Sequence, residues 1–270
     1  MSFNSFDAMR RKLFTRGATL FGAAAAGGML ASAAGCQTKT ANPPATVNSP
    51  TMSGRYAKFN DKLPKLFTAV LQDVMDQMNV RDQCMDPKVR PLTPGMRTWG
   101  EAITIYLETV NEVPKEPFQL EMELIDNSKP GQIIIAQANA TKLSAFWGGL
   151  LSNAAVGHKV TGVITDGGAR DYDEILELNF PVFCSGLSPY DSLGRMDGKK
   201  RDIPIVCGGV NVDPGDLVFA DNVGVVVVPQ KIADEVIAKA WEKVQGESTV
   251  RQELRNGAGV EKTFKKYGVL

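Results

Sequence analysis

Two glycines, an arginine and an aspartate carry the chemistry that this sequence suggests. Gly148-Gly149 lead into an apolar run, Leu150 to Val156, that reads as a helix. A glycine-led helix start offers backbone N–H groups and the positive end of a helix dipole, which suits a small anion. Arg170 follows the β-branched run Val160 to Thr165 and the sharp turn Asp166-Gly167-Gly168. Its planar fork matches a carboxylate. Asp171, next in sequence, offers hard oxygen to a cation such as Mg²⁺. Together these residues suggest a pocket for an α-keto acid with its metal. They also suit a structural role, in which the glycines permit tight packing and Arg170 pairs with Asp171 or Asp173.

The elements that must position them follow from periodicity. Phe67, Leu71, Val74 and Met78 share one face of a helix over Phe67 to Asn79. Three Pro-Gly pairs, Pro94-Gly95, Pro130-Gly131 and Pro214-Gly215, read as turns feeding strands. Strands are expected near Thr98 to Leu107, Gln132 to Ala136, Val160 to Thr165, Pro181 to Ser185, Ile203 to Val206, Leu217 to Ala220 and Val223 to Val228. Helices are expected near Phe118 to Asp126, Leu150 to Val156 and Asp171 to Asn179, with a longer one from Lys231 to about Val244. Mixed strands and helices predict an α/β fold.

The 270 residues are 43% hydrophobic and 22% charged, with zero formal net charge, which suits one sizeable core and gives no basic excess for nucleic acid. His158 is the sole histidine, so a multi-histidine zinc or iron site is excluded and any metal is held by oxygen. It reads as a surface residue at a helix–strand junction. Residues 1–35 read as a targeting segment. Arg10-Arg11-Lys12 resembles a twin-arginine export signal, and Ala33-Ala34-Gly35-Cys36 a lipoprotein cleavage site with Ala33 where leucine is usual. The expectation is an exported domain, lipid-anchored at Cys36 on the periplasmic side. Residues 36–60 are assigned to a polar tether and 61–270 to one catalytic domain. Cys84, Cys184 and Cys207 read as buried small hydrophobes, and a Cys184–Cys207 disulfide is left open.

Three further stretches carry a family resemblance along with the Ala145 to Glu174 motif. They are Thr68 to Ile105, KPGQIIIA from Lys129, and GGVNVDPGDLVFADNVGVVVVP from Gly208 to Pro229. In order and over roughly Thr68 to Gly257, the chain resembles the RraA-like family, which holds 4-hydroxy-4-methyl-2-oxoglutarate aldolases, a ribonuclease regulator, and proteins labelled demethylmenaquinone methyltransferase. The resemblance implies a β/β/α swivelling domain, usually a homotrimer or hexamer. It implies a class II lyase using Mg²⁺ or Mn²⁺ to cleave a keto acid, by retro-aldol cleavage or oxaloacetate decarboxylation, to pyruvate. Carried over, Gly148, Gly149, Leu150 and Leu151 bind the substrate carboxylate, Arg170 grips the substrate, and Asp171 holds the metal. Glu247 matches a carboxylate contributed across a subunit boundary, and a helix-start glutamate is the plainer reading of it. The aldolases carry Asp or Glu at position 149. Glycine here removes that carboxylate and is expected to leave more room. Asp173 and Glu174 read as a solvated first-turn pair, and Asp213, Asp216 and Asp221 as structural turn residues. The alternative is a regulatory binding protein on the same fold. No strand-linked G-x-G-x-x-G favours a methyltransferase cofactor.

Overall fold

A computed structural model describes residues 50–139 and 144–268. The twin-arginine pair and Cys36 lie outside those residues. Most of the long apolar stretches become strands of one eight-stranded sheet, the longest of which is β2 (Thr98–Thr109). β1 (Arg90–Pro91) comes before it; α1 (Thr68–Gln77) precedes both. After β2 come α2 (Gln119–Asp126), β3 (Gln132–Asn139), β4 (Ala145–Trp147) and α3 (Gly149–Gly157). Then follow β5 (Val163–Thr165), β6 (Gly168–Ala169), α4 (Tyr172–Glu177), β7 (Val182–Cys184) and β8 (Gly186–Leu187). The rest is β9 (Met196–Arg201), β10 (Ile205–Cys207), β11 (Val210–Val212), β12 (Leu217–Asp221), β13 (Gly224–Val228), α5 (Ala233–Arg255) and α6 (Val260–Tyr267).

The main sheet runs β1-β7-β5-β3-β2-β12-β13, with β9 also paired to β2. β2, β3, β5 and β7 are parallel neighbours, joined by helical crossovers; β12 and β13 form an antiparallel hairpin. The segment before β2 nearly closes this sheet into a barrel. Met85 N–H donates to Val225 O, and Val227 N–H to Gln83 O, while Arg90 and Pro91 pair with β7. Successive side chains of a strand point to opposite faces, and β12 uses both. Leu217 and Phe219 join one core with α1 and α5, whereas Val218 and Ala220 join the other, under α2, α3 and α4. Trp99 stacks on Phe219 at 5.2 Å, directly across the β2–β12 register. Pro214-Gly215 turns into β12 with Gly215 at φ +94°, a conformation that favours glycine.

Several expectations need correction. The tether does not reach residue 60. Met52, Tyr56 and Phe59 are buried in the α1–α5 core, because a turn of 3₁₀ helix over Gly54–Phe59 packs them there. Cys84 is exposed, on the strand-like segment beside β13, while Cys184 and Cys207 are buried free thiols. α5 runs on through Gly246 to Arg255 rather than stopping near Val244. Two of the three turn aspartates hold the structure together through their carboxylates: Asp216 accepts from Asp213 N–H and Gln230 N–H, and Asp221 accepts from the backbone and hydroxyl of Thr68 at the start of α1. His158 ends α3 and lies 3.8 Å from Asp126.

Glu121 on α2 sets a pH dependence. It is 3% exposed, its Oε2 has no partner among the described residues, and it presses against Gly198 of β9. Burial pushes its carboxyl up from 4.5, a shift opposed by nearby backbone N–H groups. A carboxyl raised in the folded state stabilises at low pH, and that contribution is lost as pH rises through the folded value. Burial raises Asp166 and Asp216 in the same direction. The unfolding midpoint is therefore expected to fall as pH is raised from about 4.5 towards neutrality. Glu121→Gln is expected to flatten that slope. Urea titrations of both proteins across the range check it, and parallel pH curves would refute the assignment to Glu121.

Candidate active site

Beyond the ends of β3 and β5 the chain builds a second, three-stranded parallel sheet, in the order β4-β6-β8. β4 leads into Gly148, and β6 leads into Arg170. Pairing β4 with β6 therefore brings residues some twenty positions apart into one place. Arg170 N–H donates to Trp147 O at 2.9 Å. Parallel sheets present their ligand sites at the carboxyl ends of the strands, and this site lies there.

The start of α3 is fastened from below. Trp147 is 1% exposed and stacks on Phe180, with ring centroids 6.1 Å apart. Its Nε1–H donates to Ser152 Oγ at 2.8 Å, and that hydroxyl donates to Gly148 O at 2.9 Å. The turn Asp166-Gly167-Gly168 is stitched as tightly. Asp166 accepts from Ala138 N–H at 2.7 Å, and Ser185 Oγ donates to Asp166 O at 2.7 Å.

Asp171 has φ +55° and ψ +45°, the left-handed region that non-glycine residues seldom enter. This backbone turns its carboxylate away from α4, which it precedes, and back onto α3. Oδ2 accepts the Gly149 N–H at 2.9 Å and lies 3.6 Å from Arg170 Nε. Arg170 Nη1 lies 3.5 Å from Asp191 Oδ2. All three side chains are a little over one third exposed, so the site is open to solvent. The arginine is thus held in a fork of two carboxylates, with the glycine-led helix start beside it.

The structure brings together Gly148, Gly149, Leu150, Leu151, Arg170 and Asp171. Of these, the Gly149 N–H is already taken by Asp171, and the Leu150 side chain is 82% exposed. Glu247 is not brought to them within the chain; it lies on α5 and pairs with Arg251 one turn on. Sequence reasoning missed Asp191, which sits in a loop with no motif, and Asn153. Glu174 is where the sequence placed it. It is an exposed first-turn residue of α4, as expected, and its end also reaches α3: Asn153 Nδ2 donates to its Oε1 at 2.8 Å, and it lies over Gly149. The room expected at position 149 is therefore filled.

No group of three or more His, Cys, Asp or Glu residues able to hold a metal is present among the described residues. The oxygen donors that are present fit a hard cation. Asp171 offers a carboxylate of which one oxygen is engaged, and Mg²⁺ commonly takes one or two carboxylates and keeps several waters.

Comparison with known proteins bears on this site. The family described as RraA-like, Aldolase/RraA, matches residues 68–227, which include every residue of the Arg170–Asp171 fork and the α3 start. Protein DlpA of Legionella pneumophila is 28% identical over 216 residues, 77% of this chain and 34% of DlpA, so the chain spans about a third of that relative. A Halalkalibacterium halodurans protein named "Putative 4-hydroxy-4-methyl-2-oxoglutarate aldolase" is 27% identical over 192 residues, 71% of this chain and 86% of that one. Among solved structures, Streptomyces coelicolor RraAS2, described as an unusual member of the RNase ES inhibitor RraA protein family, superposes with a TM-score of 0.64. It is 26% identical, covering 72% of this chain and 96% of that one. With a family match over more than half of its length and the mixed α/β fold of its neighbours, this chain belongs to the RraA-like family.

Proposed function

We propose that this chain is a divalent-metal-dependent lyase that breaks the C–C bond next to the ketone of a small α-keto acid and releases pyruvate. The observation that carries the reading is the left-handed Asp171, whose carboxylate is turned onto the α3 start beside a braced arginine. Such strain persists where the surroundings enforce it, and clusters at functional sites. The names of the aldolase relatives support the same chemistry.

Arg170 binds and orients the substrate carboxylate and stabilises the charge that develops on the enolate. Asp191 and Asp171 fix the guanidinium from two sides, so little side-chain freedom is lost on binding. Asp171 would hold Mg²⁺ or Mn²⁺, which when bound supplies Lewis-acid stabilisation of the same charge. Leu150, Leu187 and Tyr190 are 82%, 52% and 59% exposed around the small sheet. Such apolar surface supports assembly with further copies, and we take the protein to be a homotrimer or hexamer.

The test is turnover by purified protein. Mg²⁺ or Mn²⁺ is expected to support pyruvate release from oxaloacetate or 4-hydroxy-4-methyl-2-oxoglutarate, and chelation to stop it. Asp171→Ala is expected to abolish the response to added metal. If metal-loaded wild type turns over neither compound, the lyase reading fails and a binding role on this fold replaces it.

A further inference from the structure

Arg170 has a second arginine for a neighbour. The loop of residues 188–196 carries Arg195 and holds it in place. Asp191 of that loop pairs with Ala145 of β4, so the loop lies against the strand that leads into Gly148. The loop is turned tightly. Arg195 N–H and Met196 N–H both donate to Ser192 O at 2.8 Å, and Leu193 N–H donates to Asp191 Oδ1 at 3.3 Å. Val110 N–H, just past β2, donates to Arg195 O at 2.9 Å. The Arg195 side chain is exposed yet placed. Its Nη1 donates to Asp191 O at 3.2 Å, and its guanidinium lies over the Tyr190 ring, 5.1 Å from the centroid. Stacking uses the face of a guanidinium and leaves its in-plane donors free. The remaining N–H groups of this one have no hydrogen bond, and no carboxylate pairs with it, among the described residues. Asp191 therefore touches both arginines, Arg170 through its carboxylate and Arg195 through its carbonyl. The length of one residue separates two cations. One is compensated by two carboxylates and the other by none.

We propose that Arg195 binds the second carboxylate of the substrate, the one on the departing fragment, and so favours aldol cleavage over decarboxylation. The proposal rests on the lyase reading above. Both compounds named there are 2-oxo acids with a second carboxylate, and a guanidinium one residue away from Arg170 is placed to meet it. The two reactions treat that group differently. In 4-hydroxy-4-methyl-2-oxoglutarate the C3–C4 bond breaks and its electron pair passes into the pyruvate enolate. The 4-hydroxyl loses its proton to solvent as C4 becomes a carbonyl, and C3 takes one back. The far carboxylate keeps its charge throughout and leaves on the second fragment. In oxaloacetate the far carboxylate is itself the leaving group. The electron pair of its C–C bond passes into the same enolate, it departs as neutral CO₂, and C3 takes a proton from solvent. A guanidinium on that carboxylate keeps its partner in the first transition state and loses it in the second. Only interactions that persist or strengthen in the transition state help the chemical step. Arg195 therefore supports the aldol cleavage and holds oxaloacetate in its ground state.

The experiment uses Mg²⁺-loaded protein and matched pairs of ligands. 2-Oxoglutarate carries a carboxylate where 2-oxopentanoate carries a methyl group. Calorimetry is expected to show wild type binding 2-oxoglutarate more tightly by about 10- to 100-fold, the range for a hydrogen bond to a charged group. Arg195→Gln is expected to erase that preference, and Arg195→Lys to keep part of it. Turnover is compared in the same way. The kcat/KM for 4-hydroxy-4-methyl-2-oxoglutarate, relative to that for 4-hydroxy-4-methyl-2-oxopentanoate, should fall by the same factor in Arg195→Gln. For oxaloacetate, kcat and KM should rise together in that variant, because only the ground state has lost a contact. A preference for the dicarboxylate that survives in Arg195→Gln overturns the proposal, as does its absence in wild type. So does an equal loss for both members of each pair, which would make Arg195 a prop for Asp191. A fall in kcat for oxaloacetate with KM unchanged refutes the selection between reactions. Wild type that turns over none of these compounds removes the lyase reading, and the calorimetric pair still decides whether Arg195 receives the carboxylate.

Discussion

On the proposed lyase reading, Arg170→Ala is expected to lower kcat/KM for keto-acid cleavage by about 10²- to 10³-fold, the usual loss when a donor aimed at developing charge is removed. The cause is geometric. Asp171 Oδ2 at 3.6 Å from Nε and Asp191 Oδ2 at 3.5 Å from Nη1 hold the guanidinium before any substrate arrives. That preorganisation is what makes one residue worth so much. Arg170→Lys should recover little, because an ammonium cannot span two carboxylates and still present a planar fork. Asp191→Asn should fall between, acting on substrate affinity more than on kcat, because it loosens the arginine without removing it. Steady-state kinetics at saturating metal measure all three. Full activity in Arg170→Ala would mean that the substrate is gripped elsewhere.

Trp147→Ala costs about 3–5 kcal/mol of folding stability, the range for truncating a buried aromatic. Trp147 is buried against Phe146 and Phe180, and its indole N–H is satisfied by Ser152. Removing the ring leaves a cavity directly beneath Gly148 and frees the Ser152 hydroxyl that ties down Gly148 O. Ser152→Ala should cost about 1–3 kcal/mol, because the indole N–H is then buried without a partner. Both are read from urea midpoints, and activity should fall with Trp147→Ala even where the protein is fully folded. A loss below about 1 kcal/mol for Trp147→Ala would show that the cavity collapses and that the ring does not hold the site.

What could be read from the sequence divides along a physical line. The spacing of Gly148-Gly149 from Arg170-Asp171 was legible, because strand, turn and helix signals are local. So was the β12–β13 hairpin, with its apolar strands on either side of Asp221-Asn222-Val223. β9 was not: Met196–Arg201 is MDGKKR, with no apolar alternation, and it is a strand because β2 offers it an edge. β4, β6 and β8 are two or three residues each, and their pairing is a tertiary fact that short-range pattern cannot supply. The helix expected to end near Val244 continues through Gly246 to Arg255, since an exposed glycine costs only about 1 kcal/mol there. The contact between Glu174 and Asn153 escaped for a related reason. Each looks like an ordinary surface residue until α3 and α4 lie side by side.

The long strand β2 also fixes an order of assembly. Its parallel partner β3 follows within about thirty residues, so half of its hydrogen-bonding edge can be occupied early. The other edge is shared, in succession, by β12 for residues 98 to 101 and by β9 for residues 105 to 109. Neither exists until the chain has grown past Met196, and β12 not until Leu217. A ribosome-bound intermediate of this protein therefore carries one unpaired, largely apolar strand edge for roughly a hundred residues of synthesis. Such an edge is a template for pairing with another chain, and contacts this distant in sequence form slowly. The barrel closes only when its last hairpin arrives.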